Sequence, residues 1–155
     1  MFLFHFHYHA LFCFFLVFSL FLIPLQGPGG VILHELSHAW HWLYVPDGYD
    51  NKDIEACYKC AMKEKLYDCV PYHTLEKDKN AKTRAYAATN VMEYFAELSV
   101  ALFSNACWKE NDNHAETHDE DMEFNKFFPY NRKQLEKHDP RAFHCLCKLW
   151  GVTWK

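Results

Sequence analysis

The run Val31-Ile-Leu-His34-Glu35-Leu-Ser-His38-Ala-Trp40 constrains this chain more than any other stretch. It is apolar on nearly every side, yet it carries two histidines four positions apart and a glutamate directly after the first. A helix that is apolar all round belongs in an interior. Polar groups taken into an interior must be hydrogen-bonded, paired or bound to an ion. Any fold for this sequence therefore surrounds one helix with other elements and supplies partners for His34, Glu35 and His38. Pro28 and the glycines before the run, and Val45-Pro46-Asp47-Gly48 after it, bound that helix at about residues 31–44.

The rest of the pattern is also helical. Ile54, Cys57, Tyr58, Ala61, Met62 and Leu66 keep helical spacing over 51–67, with Asp50 or Asn51 as cap. Residues 68–82 are polar and read as loop with at most a short extended piece. Thr89 or Asn90 caps a strong helix to about Phe103, whose apolar positions are Val91, Tyr94, Phe95, Leu98, Ala101 and Leu102. The acidic stretch 105–123 reads as a surface loop. A short helix is expected over 131–137. Asp139 and Pro140 then open a last helix that Gly151 stops. The chain of 155 residues is long enough for one core and too short for two. The expected class is mainly α, α+β at most.

Residues 1–25 contain no Asp, Glu, Lys or Arg, and residues 10–23 are apolar except for Ser19. That length fits a signal peptide better than a bilayer span. The expected organisation is a leader over 1–26 and one domain over 27–155, in a secreted protein. A membrane anchor over residues 1–25 and a misplaced start codon are the alternatives. Of the 7 cysteines only Cys13 lies in the leader, and the six that remain fit disulfides in an oxidising compartment. Cys57-x-x-Cys60 and Cys145-x-Cys147 are also spaced for a structural zinc site, though nothing in the sequence brings the two pairs together. A net charge of -4 gives nucleic acid no basic face, so none is expected as partner.

On a helix, positions four apart share a face, so His34 and His38 are placed to ligate one ion. Glu35 lies beside that face, where a carboxylate can take a proton from water on a zinc ion. A pair of hydrogen-bonded core histidines is the alternative, since the pattern arises by chance in a chain with 11 His. Catalytic zinc takes three protein ligands and leaves a position for water. Glu93-Tyr-Phe-Ala-Glu97 offers two carboxylates one turn apart in an apolar setting. Either can be the third ligand, with the other holding the free N–H of an imidazole or facing solvent. His41, two turns after His34, reads as a core or supporting histidine. His114-Ala-Glu-Thr-His118 repeats the spacing inside the acidic loop and reads as solvated loop.

His34-Glu-Leu-Ser-His38 followed by Tyr86-Ala-Ala-Thr89-Asn90-Val-Met-Glu93-Tyr-Phe95-Ala96-Glu97 resembles the gluzincin zinc metallopeptidases. The likeness is to the catalytic domain of anthrax toxin lethal factor and its small relatives. The tail, Phe127-Phe-Pro-Tyr-Asn-Arg132, Leu135, His138-Asp-Pro140 and Leu149-Trp-Gly151, is similar to a group of small proteins of this type. The resemblance implies Zn2+ held by His34, His38 and Glu93, with Glu97 supporting a ligand. It implies Glu35 as general base and Tyr86 as donor to the oxyanion of the tetrahedral intermediate, acting on a peptide or protein substrate. It makes residues 105–123 an insertion. It implies a zincin-like core of an HExxH helix and a glutamate helix, with the N-terminal sheet of that family largely missing. A non-catalytic or truncated zinc-binding relative, serving as an interaction domain, is the alternative reading.

Overall fold

A computed structural model describes residues 30–73, 81–104 and 125–153. The leader 1–26, the acidic segment 105–123 with His114 and His118, and Cys13 and Cys107 lie outside the described residues. Five helices carry the structure: α1 Gly30–Leu43, α2 Lys52–Lys63, α3 Val91–Phe103, α4 Arg132–His138 and α5 Pro140–Trp150. Two short strands, β1 Val70–Pro71 and β2 Lys82–Thr83, pair antiparallel, Val70 opposite Thr83. The protein is mainly α, as its spacing predicts. No helix among the described residues is long and apolar enough to cross a membrane.

The helix starts follow from their first side chains. Asn51 Oδ1 accepts from the Ile54 N–H at 3.0 Å, Asn90 Oδ1 from Glu93 at 2.9 Å, and Asn131 Oδ1 from Gln134 at 3.0 Å. Each satisfies an N–H that the first turn leaves without a helical partner. Of Thr89 and Asn90, Asn90 is the cap. Asp139 caps α5 through the Ala142 N–H, and Gly151 ends it in the left-handed region at φ 66. After α1 the chain reverses through Asp47 (φ 62) and Gly48 (φ 53). A Cβ on Gly48 would sit 3.2 Å from the Trp42 carbonyl oxygen, so glycine suits both the backbone angle and the space there.

α3, and not the apolar α1 that the sequence marks for the interior, is the centre of the molecule: α1 buries His34, Ser37 and His41 on one face and leaves Leu36, Trp42 and Leu43 exposed on the other. Every residue from Tyr94 to Leu102 is buried, and α1, α2, α4 and α5 all pack on this helix. Its polar members face partners. The Tyr94 hydroxyl donates to Asp139 Oδ2 at 2.6 Å, and Tyr67 donates to the same oxygen at 3.2 Å. Ser99 Oγ accepts from Trp150 Nε1 at 2.9 Å. Trp150 stacks on Trp40 with ring centres 4.7 Å apart and also meets Phe95 and Phe103, joining α1, α3 and α5 in one aromatic cluster. Phe95, the fully buried ring of the four, contributes about 1.5–3 kcal/mol. Residues 126–128 run beside β1, with the Phe128 N–H donating to the Pro71 carbonyl at 3.0 Å.

Candidate metal centre

α1 packs more extensively on α3 than any other helix does, and their contact brings distant sequence together. His34 Nε2 lies 3.0 Å from Glu93 Oε2 and 3.1 Å from His38 Nε2, and His38 Nε2 lies 3.3 Å from the same glutamate oxygen. Among the described residues this is the cluster of His, Cys, Asp or Glu whose ligand atoms converge as metal donors do. A tetrahedral ion with bonds of about 2.0–2.1 Å holds neighbouring donors about 3.3 Å apart. The observed triangle has nearly that edge. Two imidazole nitrogens and a carboxylate oxygen at such separations need a cation or a shared proton between them.

The spacing left Glu93 and Glu97 open as third ligand, and the geometry separates them. Glu93 reaches both Nε2 atoms. Glu97, 1% exposed, lies behind His34, with Oε1 2.9 Å from His34 Nδ1. That approach is close enough for charge pairing but bent away from the ring N–H direction, and Nδ1 makes no aligned hydrogen bond. The other oxygen, Glu97 Oε2, is buried without a partner.

Charge balance at the site is unusual for an interior. Burial works against a charged His34, but its contacts with Glu93 and Glu97 outweigh it and raise the imidazole from 6.5 to about 10. Burial likewise favours a neutral Glu93, yet His34 and His38 hold it at about 2. Without a metal, a proton on His34 supplies the positive charge that the two carboxylates require.

Glu35 is half-buried on α1, and its charge is felt by both Tyr86 and Tyr49. Tyr86 opens a 3-10 turn, Tyr86–Ala88, directly before α3. Its ring centre lies 6.1 Å from that of His34, in stacked orientation, and the residue is 46% exposed. Partial burial, then the charge of Glu93, raises its pKa above the ordinary tyrosine value, so it stays a donor. Tyr49 is a residue that no sequence pattern singles out. Its hydroxyl donates to the His38 carbonyl at 3.3 Å, and burial followed by the charges of Glu93 and Glu35 raises its pKa. It comes from the 3-10 turn Gly48–Asp50, and no local pattern marks such a tyrosine as adjacent to the cluster.

His41 is fully buried between Phe95, at 4.3 Å between ring centres, and Tyr49, at 5.0 Å. It is a core residue. The cysteines do not gather into a metal cluster among the described residues, and Cys57, Cys60, Cys69 and Cys145 stand as thiols. No family model, curated protein or solved structure matches the chain.

Proposed function

We propose that this protein is a zinc-dependent metallopeptidase of the gluzincin type, with a zincin-like core formed by α1 and α3. The observation that carries the reading is the convergence of His34 Nε2, His38 Nε2 and Glu93 Oε2 within 4.8 Å of one another. These three residues would hold the ion, and Glu97 would fix the His34 ring from behind through Nδ1. When bound, zinc supplies Lewis acidity and brings the pKa of a water toward about 7. Glu35 takes a proton from the attacking water and passes it to the leaving amine. The Tyr86 hydroxyl, kept protonated by its surroundings, donates to the carbonyl oxygen as negative charge develops on it. The substrate is a peptide or protein, and the leader over residues 1–26 directs the chain to the outside of the cell.

Zinc content of the purified chain, beside a Glu93→Ala variant, tests the site. One zinc per chain, weakened at least about 100-fold in the variant, is expected. A folded wild-type chain without affinity for zinc would sink the proposal. Peptide-library cleavage by the zinc-loaded chain, lost in Glu35→Gln while zinc is retained, tests the chemistry. Zinc binding with equal, background cleavage by both would make this a non-catalytic zinc-binding domain.

A further inference from the structure

A second group of chemically active side chains lies away from the metal-ligand cluster, between α2 and α5. Two exposed ion pairs mark how these helices are aligned. Lys148 Nζ lies 2.7 Å from Asp53 Oδ2, and Arg141 forms a two-bonded pair with Glu64. The low-numbered end of α2 thus meets the high-numbered end of α5, so the helices run antiparallel. Cys57 and Cys145 occupy the stretch between the two ion pairs. Cys57 Sγ lies 3.7 Å from the Arg141 carbonyl oxygen, one helical turn before Cys145, which puts Cys57 against the face of α5 that carries Cys145. Both residues are half-buried, so a small reagent can reach them.

We propose that Cys57 and Cys145 are the site of a disulfide that cross-links α2 to α5. A bridge needs two sulfurs within bonding reach on backbones already held close, and the buried Ile54, Ala61, Ala142 and Leu146 pack these two helices into one core. Either thiol can attack first. The oxidant is a small-molecule disulfide such as glutathione disulfide. By the route through Cys57, its thiolate attacks one sulfur of the oxidant, forming a mixed disulfide and expelling one small thiolate. Cys145 loses its proton to solvent and attacks Cys57 Sγ, expelling the second. Two protein thiols are oxidised and one small disulfide is reduced to two thiols. The bridge closes a loop containing all of α3, so it removes many conformations from the unfolded chain.

The test is disulfide mapping of the full chain, oxidised while folded in glutathione buffer, alkylated and digested without reduction. Trypsin cuts after Lys52 and Lys59, which separates Cys57 (peptide 53–59) from Cys60. The expected product is peptide 53–59 joined to peptide 142–148. Because that second peptide holds both Cys145 and Cys147, the link should persist in Cys147→Ser and vanish in Cys145→Ser. Oxidised wild type should melt roughly 5–15 °C above its reduced form, a difference absent in Cys145→Ser. Recovery of peptide 53–59 with Cys57 alkylated, or joined to any other cysteine, would overturn the proposal.

Discussion

His34 and His41 lie on one helix, both buried, and the two ends of that helix treat the same side chain in opposite ways. Facing Glu93 and Glu97, His34 is raised to about 10. Facing Phe95 and Tyr49, His41 is lowered to about 4, by burial first and by the charge of His38 second. A weak pull from the Gly48 backbone opposes the shift, but neither His41 nitrogen has a hydrogen-bond partner, so burial dominates. Desolvation acts at both ends, and what differs is whether α3 presents carboxylates or a ring. One turn of α3, from Glu93 to Glu97, therefore presents carboxylates to His34 and the Phe95 ring to His41, a charged region beside an apolar one.

Removing Phe95 breaks the apolar region and gives the largest effect. The ring is fully buried against His41 and Trp150. Phe95→Ala should cost about 3–5 kcal/mol, measured by chemical denaturation of the metal-free chain. Zinc affinity of the fraction that stays folded should change by less than about threefold, because the three donors and the Glu97 carboxylate behind His34 all remain. A large loss of affinity alongside the loss of stability would mean that the two regions are not separable.

Glu97 tests the charged region. Glu97→Ala leaves every donor atom in place but removes the carboxylate 2.9 Å from His34 Nδ1. Zinc affinity should fall about 10–100-fold, read by competition with a chromophoric chelator. Glu97→Gln keeps an acceptor oxygen and should recover part of the loss. Equal affinity in all three proteins would show that Glu97 does not support the ligand.

The sequence revealed these two regions unequally. Helix starts were legible because the caps are local: Asn51, Asn90, Asn131 and Asp139 each bond a backbone N–H three positions on. The His34–His38 pair was legible for a similar reason, since helical spacing alone puts both on one face. Spacing could not choose between Glu93 and Glu97. Both lie on the same side of α3, and the choice rests on how α3 is seated against α1, a long-range fact. The resemblance to gluzincins favours Glu93, and the geometry brings Glu93 to the donors. Tyr49 and the joining of Tyr67 and Tyr94 at Asp139 were not legible, because each depends on elements far apart in the chain. The same limit hides the nearness of Cys57 to the α5 turn that carries Cys145, which depends on how α2 packs against α5.

The smallest expected effect sharpens the comparison most, because it appears only on changing pH. The folded-state pKa of His41, about 4, lies below its free value of 6.5. As pH falls through 6.5, the unfolded chain takes up a proton on His41 that the folded chain refuses. Stability that is fully present above 6.5 is therefore lost progressively toward pH 4. His41→Phe removes this term and keeps a ring against Phe95. Near pH 7 the variant should unfold within about 1 kcal/mol of wild type. At pH 5 it should be the more stable by about 1–2 kcal/mol, a difference that grows with acidity. The measurement is denaturant unfolding of the metal-free proteins at matched ionic strength between those two values. His34 cannot produce the same difference, since both chains carry it and its raised pKa makes its own loss of stability fall on the alkaline side. A gap that stays constant with pH would mean that His41 is protonated in the fold, and so has a partner on α3 or the following turn that its ring contacts do not reveal.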